Sequence, residues 1–227
     1  MSEQKSNILQ FVSVAPLLQG VSSIFLAFVG VNWFVLSLVT AIVEWVVNWL
    51  FVHATSHYRN IQLLMLSEVV LCLGIGLAAT LSFLASFQLW GVGVVTLIVF
   101  TWGGIVIYRW RQSVESGLTL QNPVSLAQIQ QAIQEVRRKG ESSNDPASRL
   151  LASLVPVILG LTYAIGTILN SKAAASTFAL LLTINAFTLF MCVLGWGGYH
   201  RIVEWERRTG QKSVVQELED LKNRALR

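Results

Sequence analysis

The sequence is short of charge. Asp, Glu, Lys and Arg make up 12% of its 227 residues, about half of what covers a typical soluble domain. That scarcity excludes an ordinary water-soluble surface, since 54% of the residues are hydrophobic. Cysteine is scarce too: Cys72 and Cys192 both lie inside apolar blocks, with no CxxC pair. A zinc site or disulfide framework is therefore not expected, and both read as small hydrophobes. No GxSxG, Walker loop, HExxH or GxGxxG stands in a suitable context, so no enzyme activity, metal or cofactor is expected.

What the chain has instead is long apolar runs. From Leu63 to Phe87 the only charge is Glu68, and Leu89–Tyr108, Leu150–Leu169 and Ala173–Tyr199 carry none. Each is long enough for a transmembrane helix, which needs about 20 residues. The net charge of +4 and pI near 9.3 do not point to nucleic acid. The basic residues flank apolar blocks and form no stripe on one face of a folded domain.

The first block is ambiguous. Ile8 to Val52 holds a single charge, Glu44, and as one helix would reach about 68 Å, more than twice the hydrocarbon core. It is either two spans with a tight turn near Gly30-Val31-Asn32, or a short interfacial helix leading into one tilted span. Pro16, Gln19, Gly20, Ser22 and Ser23 weaken its first half as a lipid-facing span, but such residues are tolerated where helices pack together. Two spans are favoured. The N-terminus has no convincing cleavage site and reads as retained.

Fourteen of the sixteen basic residues fall on one side if the later blocks form two hairpins. Lys172 is on the other side and Lys5 is undecided. The bias makes the 109–149 loop and the 200–227 tail cytoplasmic. The expected fold is thus an all-α transmembrane bundle of six spans in three hairpins, with five as the alternative. Spans 1–4 occupy residues 1–108 and spans 5–6 residues 150–199. A plasma or inner membrane location fits best.

Two soluble pieces remain. Residues 125–139 read as an amphipathic helix with Leu126, Ile129, Ile133 and Val136 on one face, Ser125 as N-cap and Gly140 as stop. In the tail, 213–226 reads as a second, with Val214, Leu218, Leu221 and Ala225 on one face. The two can pack together, pair between protomers or lie on the membrane. A weak internal echo joins Trp102-Gly103-Gly104 to Trp196-Gly197-Gly198, and Ile42-Val43-Glu44-Trp45 to Ile202-Val203-Glu204-Trp205, as a hairpin duplication would.

Few residues are placed to carry chemistry. Glu44 falls near the bilayer midplane, where an ionised carboxylate costs several kcal/mol. Asn48 is one turn further on the same face, with His53 at the cytoplasmic edge, so this stripe faces protein or water. Glu68 enters its helix just over a turn from Leu63; it is a candidate intramembrane polar residue that can reach toward the interface, or toward Arg59 or His57 as a structural ion pair, and the structural reading is favoured. Asn185 and Thr183 sit mid-helix and are expected to bond between helices. His53 and His57 have i, i+4 spacing, but with His200 they make a weak metal signal, and a pH-responsive interfacial role is preferred. The functional expectation is a homo-oligomeric channel or small transporter-like protein in the lipid bilayer with Glu44 near its pathway. The alternative is a non-conducting subunit or sensor that recruits a cytoplasmic protein partner through 125–139 and 213–226.

Overall fold

The computed structural model describes residues 14–115, 123–125, 127–129, 131, 134–135, 138, 156, 159–168 and 170–225. In chain order the helices are α1 Val14–Leu26, α2 Val31–Ala54, α3 Tyr58–Ser86 and α4 Trp90–Glu115, then α5 Leu159–Ile168, α6 Lys172–Thr209 and α7 Gln216–Ala225. Four of them, α2, α3, α4 and α6, are long and apolar enough to cross a membrane. The described helical part of α1 has 13 residues, about 20 Å, and that of α5 is shorter. The expectations for 8–13, 150–158 and most of 109–149 fall largely outside the described residues.

The first apolar block is broken, as its length demands. The chain leaves helix after Leu26, Gly30 N–H bonds back to the Leu26 carbonyl, and α2 starts at Val31. The break falls just before the expected Gly30–Asn32. Moreover α1 lies alongside α2, because Gln19 donates to Ser37 Oγ at 2.8 Å. It does not lead in-line into one tilted span.

The other turns have local causes. Gln88 and Asn170 take left-handed φ of 60° and 46° between α3 and α4 and before α6, a conformation Asn tolerates better than most residues. Ser171 caps α6 by accepting from Ala174 N–H at 3.3 Å. The 38-residue α6 is about 57 Å long, so it projects well beyond a ~30 Å hydrocarbon layer. It ends at Gly210, whose φ of 68° makes a left-handed cap behind Arg207 and Arg208.

The bundle is apolar outside and partly polar inside. On α1 the residues turned inward are Ala15, Gln19, Ser22, Ser23 and Leu26, while Leu17, Val21 and Ile24 are exposed. On α2 the inward stripe is Ser37, Ala41, Glu44 and Asn48, a three–four spacing that keeps one helix face against its neighbours. Valines, Trp45 and Trp49 cover the rest of α2 and are exposed. Water would not tolerate that outer surface; hydrocarbon does. Packing between membrane helices then rests on close contact and interhelical hydrogen bonds, since lipid is as apolar as leucine.

At the charged end of the bundle, three separate stretches meet. The extended tail segment 213–215 bonds on one side to the α2–α3 turn, through Tyr58 N–H to Ser213 O and Val215 N–H to Ser56 O. On its other side Val124 N–H bonds to Val214 O and Gln216 N–H to Val124 O. Tyr58, Ile61, Val124, Ile129, Ile202, Val215 and Leu218 form one apolar cluster beneath it. Ser125 is a reciprocal cap: its Oγ accepts from Gln128 N–H at 3.1 Å, and Gln128 Oε1 accepts from Ser125 N–H at 2.9 Å. The tail differs from expectation. Its helix begins at Gln216, and the buried positions are Val215 and Leu218, with Val214 only half-buried. The reason is that Ser213–Val215 is extended, held by backbone bonds to residues far away in sequence. Leu126, Ile133, Val136 and the side chain of Leu221 lie outside the described residues.

Candidate intramembrane carboxylate site

The inward stripes of α1 and α2 face α3 and α6, and the polar residues of all four meet along one seam. Glu44 lies ten residues before the end of α2, about 15 Å along its axis, and Glu68 ten residues into α3, a similar depth. Both are sealed, with Glu44 4% and Glu68 5% exposed. Asn48, one turn from Glu44, donates its Nδ2 to Glu68 Oε2 at 3.1 Å. Glu44 and Glu68 are close enough for their charges to repel.

The hydrogen-bond inventory of this pair is short. Both oxygens of Glu44, and Oε1 of Glu68, have no hydrogen-bond partner among the described residues. Buried acceptors are nearly always satisfied, and a carboxylate in hydrocarbon without a partner costs several kcal/mol. With only the described partners, an ionised Glu44 would be costly here unless a proton or a cation joined it.

Toward the far end, the seam continues through neutral groups. Ser22 Oγ lies 3.7 Å from Cys72 Sγ, and Cys72 in turn is within electrostatic reach of Glu44. Asn185 donates to Thr80 Oγ1 at 2.8 Å and to the Gly76 carbonyl at 3.3 Å. Gly76 is what allows this: a Cβ there would overlap Asn185 Oδ1. Gln19 and Ser37 complete the seam between α1 and α2.

Several sequence-predicted residues meet here and others do not. Glu44, Asn48 and Glu68 come together, and Asn185 bonds between α6 and α3. Glu68 does not pair with Arg59 or His57. Nine residues separate it from Arg59 on one helix, which puts the two on opposite faces and about 13 Å apart along the axis. Arg59 instead reaches Glu206 Oε2 at 3.0 Å. Thr183 bonds within its own helix, to the Ala179 carbonyl at 2.8 Å, and not between helices. His57 is half-buried beside the extended tail segment, His200 is exposed, and the side chain of His53 lies outside the described residues. Among the described residues, no three of His, Cys, Asp and Glu gather as metal ligands.

Sequence reasoning missed Gln19, Ser22 and Ser37 as members of the site. Their signal was present: Ala15, Gln19, Ser22 and Leu26 on α1, and Ser37, Ala41, Glu44 and Asn48 on α2, follow the same three–four spacing. The other oversight is Arg111, buried near the end of α4, with Nη1 donating to the Val193 carbonyl of α6 at 3.2 Å. Its guanidinium lies where a Cβ on Gly197 would sit, so the second Trp-Gly-Gly motif is a notch for an arginine.

Compared with known proteins, the chain matches no family model, no curated protein and no solved structure.

Proposed function

We propose that this chain is a membrane transport protein of the channel or small-transporter type, with Glu44 on the pathway and Glu68 beside it. One observation carries the reading: two sealed carboxylates on adjacent helices leave three oxygens without a hydrogen-bond partner among the described residues. A carboxylate kept only as packing glue has an obvious way to be satisfied, by donating or accepting across the helix interface. Glu44 does neither with any described residue. Intramembrane ionisable groups of this kind mark ion and proton pathways.

The burial of the pair inside one protomer favours a pathway through the bundle over a ring of carboxylates around a shared axis. Six spans as three hairpins, with the loop and tail cytoplasmic in a plasma or inner membrane, belong to the same proposal. What supports this topology is the antiparallel run of α1 along α2, and the gathering of the turn at 55–57, the 123–129 segment and the tail at one end. Association into homo-oligomers remains part of it. The partner-recruiting alternative has less support, because Ile129, Val215 and Leu218 are already covered by each other and by α3 and α6.

The test is flux in proteoliposomes holding the full chain, under imposed proton, Na+ and K+ gradients. Glu44→Gln is expected to abolish a flux that the unaltered protein supports, with detergent-phase assembly unchanged. An unaltered protein that passes none of the three ions, or a mutant that passes them as well as the original, would sink the proposal.

A further inference from the structure

Glu44 and Glu68 lie close together on adjacent helices, both buried, and among the described residues no positive charge pairs with them. Cys72 of α3 is within reach of Glu44 and lies beside Ser22 of α1 and Thr188 of α6, all buried. Arg111, the buried guanidinium of α4, is turned to the Val193 carbonyl. Asn48 contributes its amide to Glu68. The acidic pair alone would be a cluster and nothing more. What makes it a site is that Glu44 is 4% exposed and that both its oxygens are buried without a hydrogen-bond partner among the described residues.

The neighbouring Cys72 is a thiol, which binds metal only as its thiolate, while the donors at the pair are hard oxygens, two carboxylates and the Asn48 amide. Such donors suit group I and II cations and protons in preference to soft metals. Charge then selects within that class. With one proton retained, the pair has a net charge of minus one, which a monovalent cation neutralises. A divalent ion needs both carboxyls ionised and takes about 6–8 oxygens as Ca2+, or near-octahedral oxygens as Mg2+. Its desolvation cost also grows with the square of the charge, in a medium that repays little of it.

We infer that Glu44 and Glu68, assisted by Asn48, form an exchangeable site for one monovalent cation, where a proton and Na+ or K+ compete. The inference deepens the transport reading and rests on it for the route by which the ion arrives. The exchange conserves charge and moves no electrons. A carboxyl O–H bond breaks, its proton leaves to solvent, and the entering cation takes the oxygens that the proton left. Exchange of this kind gives coupled ion movement if the site opens alternately to the two sides, with no further charged residue required in the membrane.

The experiment uses the full chain purified in detergent, in weakly buffered choline chloride near neutral pH, with a pH-indicator dye. Titration with NaCl, and separately with KCl, is expected to release one proton per chain saturably with at least one of the two, and the comparison identifies the ion. Radioactive Na+ binding should saturate over the same range when Na+ is that ion. Glu44→Gln and Glu68→Gln should each abolish the release. Asn48→Ala, which keeps both carboxyls, should weaken binding about tenfold or more. Absence of saturable release with either ion from monodisperse protein overturns the inference, and so does release elicited only by Ca2+ or Mg2+. The unaltered chain alone decides between these outcomes, so a variant that fails to fold changes neither. Proton release without flux in proteoliposomes would remove the transport reading and keep the site; flux without release would do the reverse.

Discussion

The tetrapeptide Ile-Val-Glu-Trp occurs twice, at 42–45 in α2 and at 202–205 in α6, and the two copies face opposite ways. In α2 Ile42 is 56% exposed and Glu44 is sealed; in α6 Ile202 is 3% exposed and Glu204 faces outward, paired with Arg208 at 2.5 Å. Residues two apart on a helix point to nearly opposite sides, so a half-turn rotation exchanges their roles. The tetrapeptide itself decides nothing. Its surroundings do: within the membrane an outward residue must be apolar, whereas α6 at this point has left the hydrocarbon and turns its charge to water. The copies therefore occupy inequivalent places. The Trp-Gly-Gly pair is different, since both motifs lie on the α4–α6 interface, Gly104 toward Leu189 and Gly197 against Arg111.

The contrast is sharpest in function. Glu44→Gln should remove ion flux, whereas Glu204→Gln should leave it unchanged; equal effects would mean that depth and burial do not separate the two glutamates. The next largest difference concerns the glycines. A Cβ on Gly197 overlaps the Arg111 guanidinium, while on Gly104 it would lie an ordinary 3.5 Å from Leu189. Gly197→Ala should cost about 1–3 kcal/mol and Gly104→Ala less than about 0.5 kcal/mol. Thermal unfolding in detergent measures both, and a reversed order would contradict the notch. Third, Asn185→Ala should cost on the order of 1 kcal/mol, the scale of an interhelical hydrogen bond within a membrane, read in the same assay.

The smallest effect belongs to the charged end. Glu206 lies on the part of α6 beyond the hydrocarbon. Burial pushes its carboxyl up, but the Ser213 N–H and hydroxyl, with Arg59, outweigh that and hold it below its ordinary value of 4.5. A carboxyl lowered on folding stabilises fully above its unfolded value, and that contribution fades as pH falls through the lower, folded one. Protection of the Ser213–Gln216 amides, their exchange measured against the intrinsic rate at each pH, should therefore fall on acidification from neutral pH toward 4 and below. Glu206→Gln should be less protected already at neutral pH and less sensitive to acid. An identical profile in both proteins would show that Glu206 does not hold the tail.

Much of this architecture was legible in the sequence, for reasons that also mark where legibility stopped. Runs free of charge identified the long helices, since a span is defined by composition over about 20 residues. The Glu44–Asn48 face followed from helical periodicity, and Ser125 as an N-cap from its place before an amphipathic run; its reciprocal bond with Gln128 came from the structure. The rotation of α3 was not legible. That helix is apolar almost all round, so nothing local said whether Glu68 faced Asn48 or the side of Arg59; packing against α2 and α6 decides it. The break after Leu26 was readable from length, but the pairing of Gln19 with Ser37 needs two helices at once. The tail defeated periodicity for a similar reason. Its extended residues take their hydrogen bonds from Ser56, Tyr58 and Val124, and no window along the chain contains those partners together.

That extended tail segment also imposes an order of events. It is the middle member of the three stretches at the charged end, bonded to Ser56 and Tyr58 on one side and Val124 on the other, yet it is the last of the three to be synthesised. Among the described residues, no backbone hydrogen bond joins the outer two to each other. The cover over Tyr58, Ile61 and Ile202 can therefore close only after Val215 and Leu218 have been synthesised.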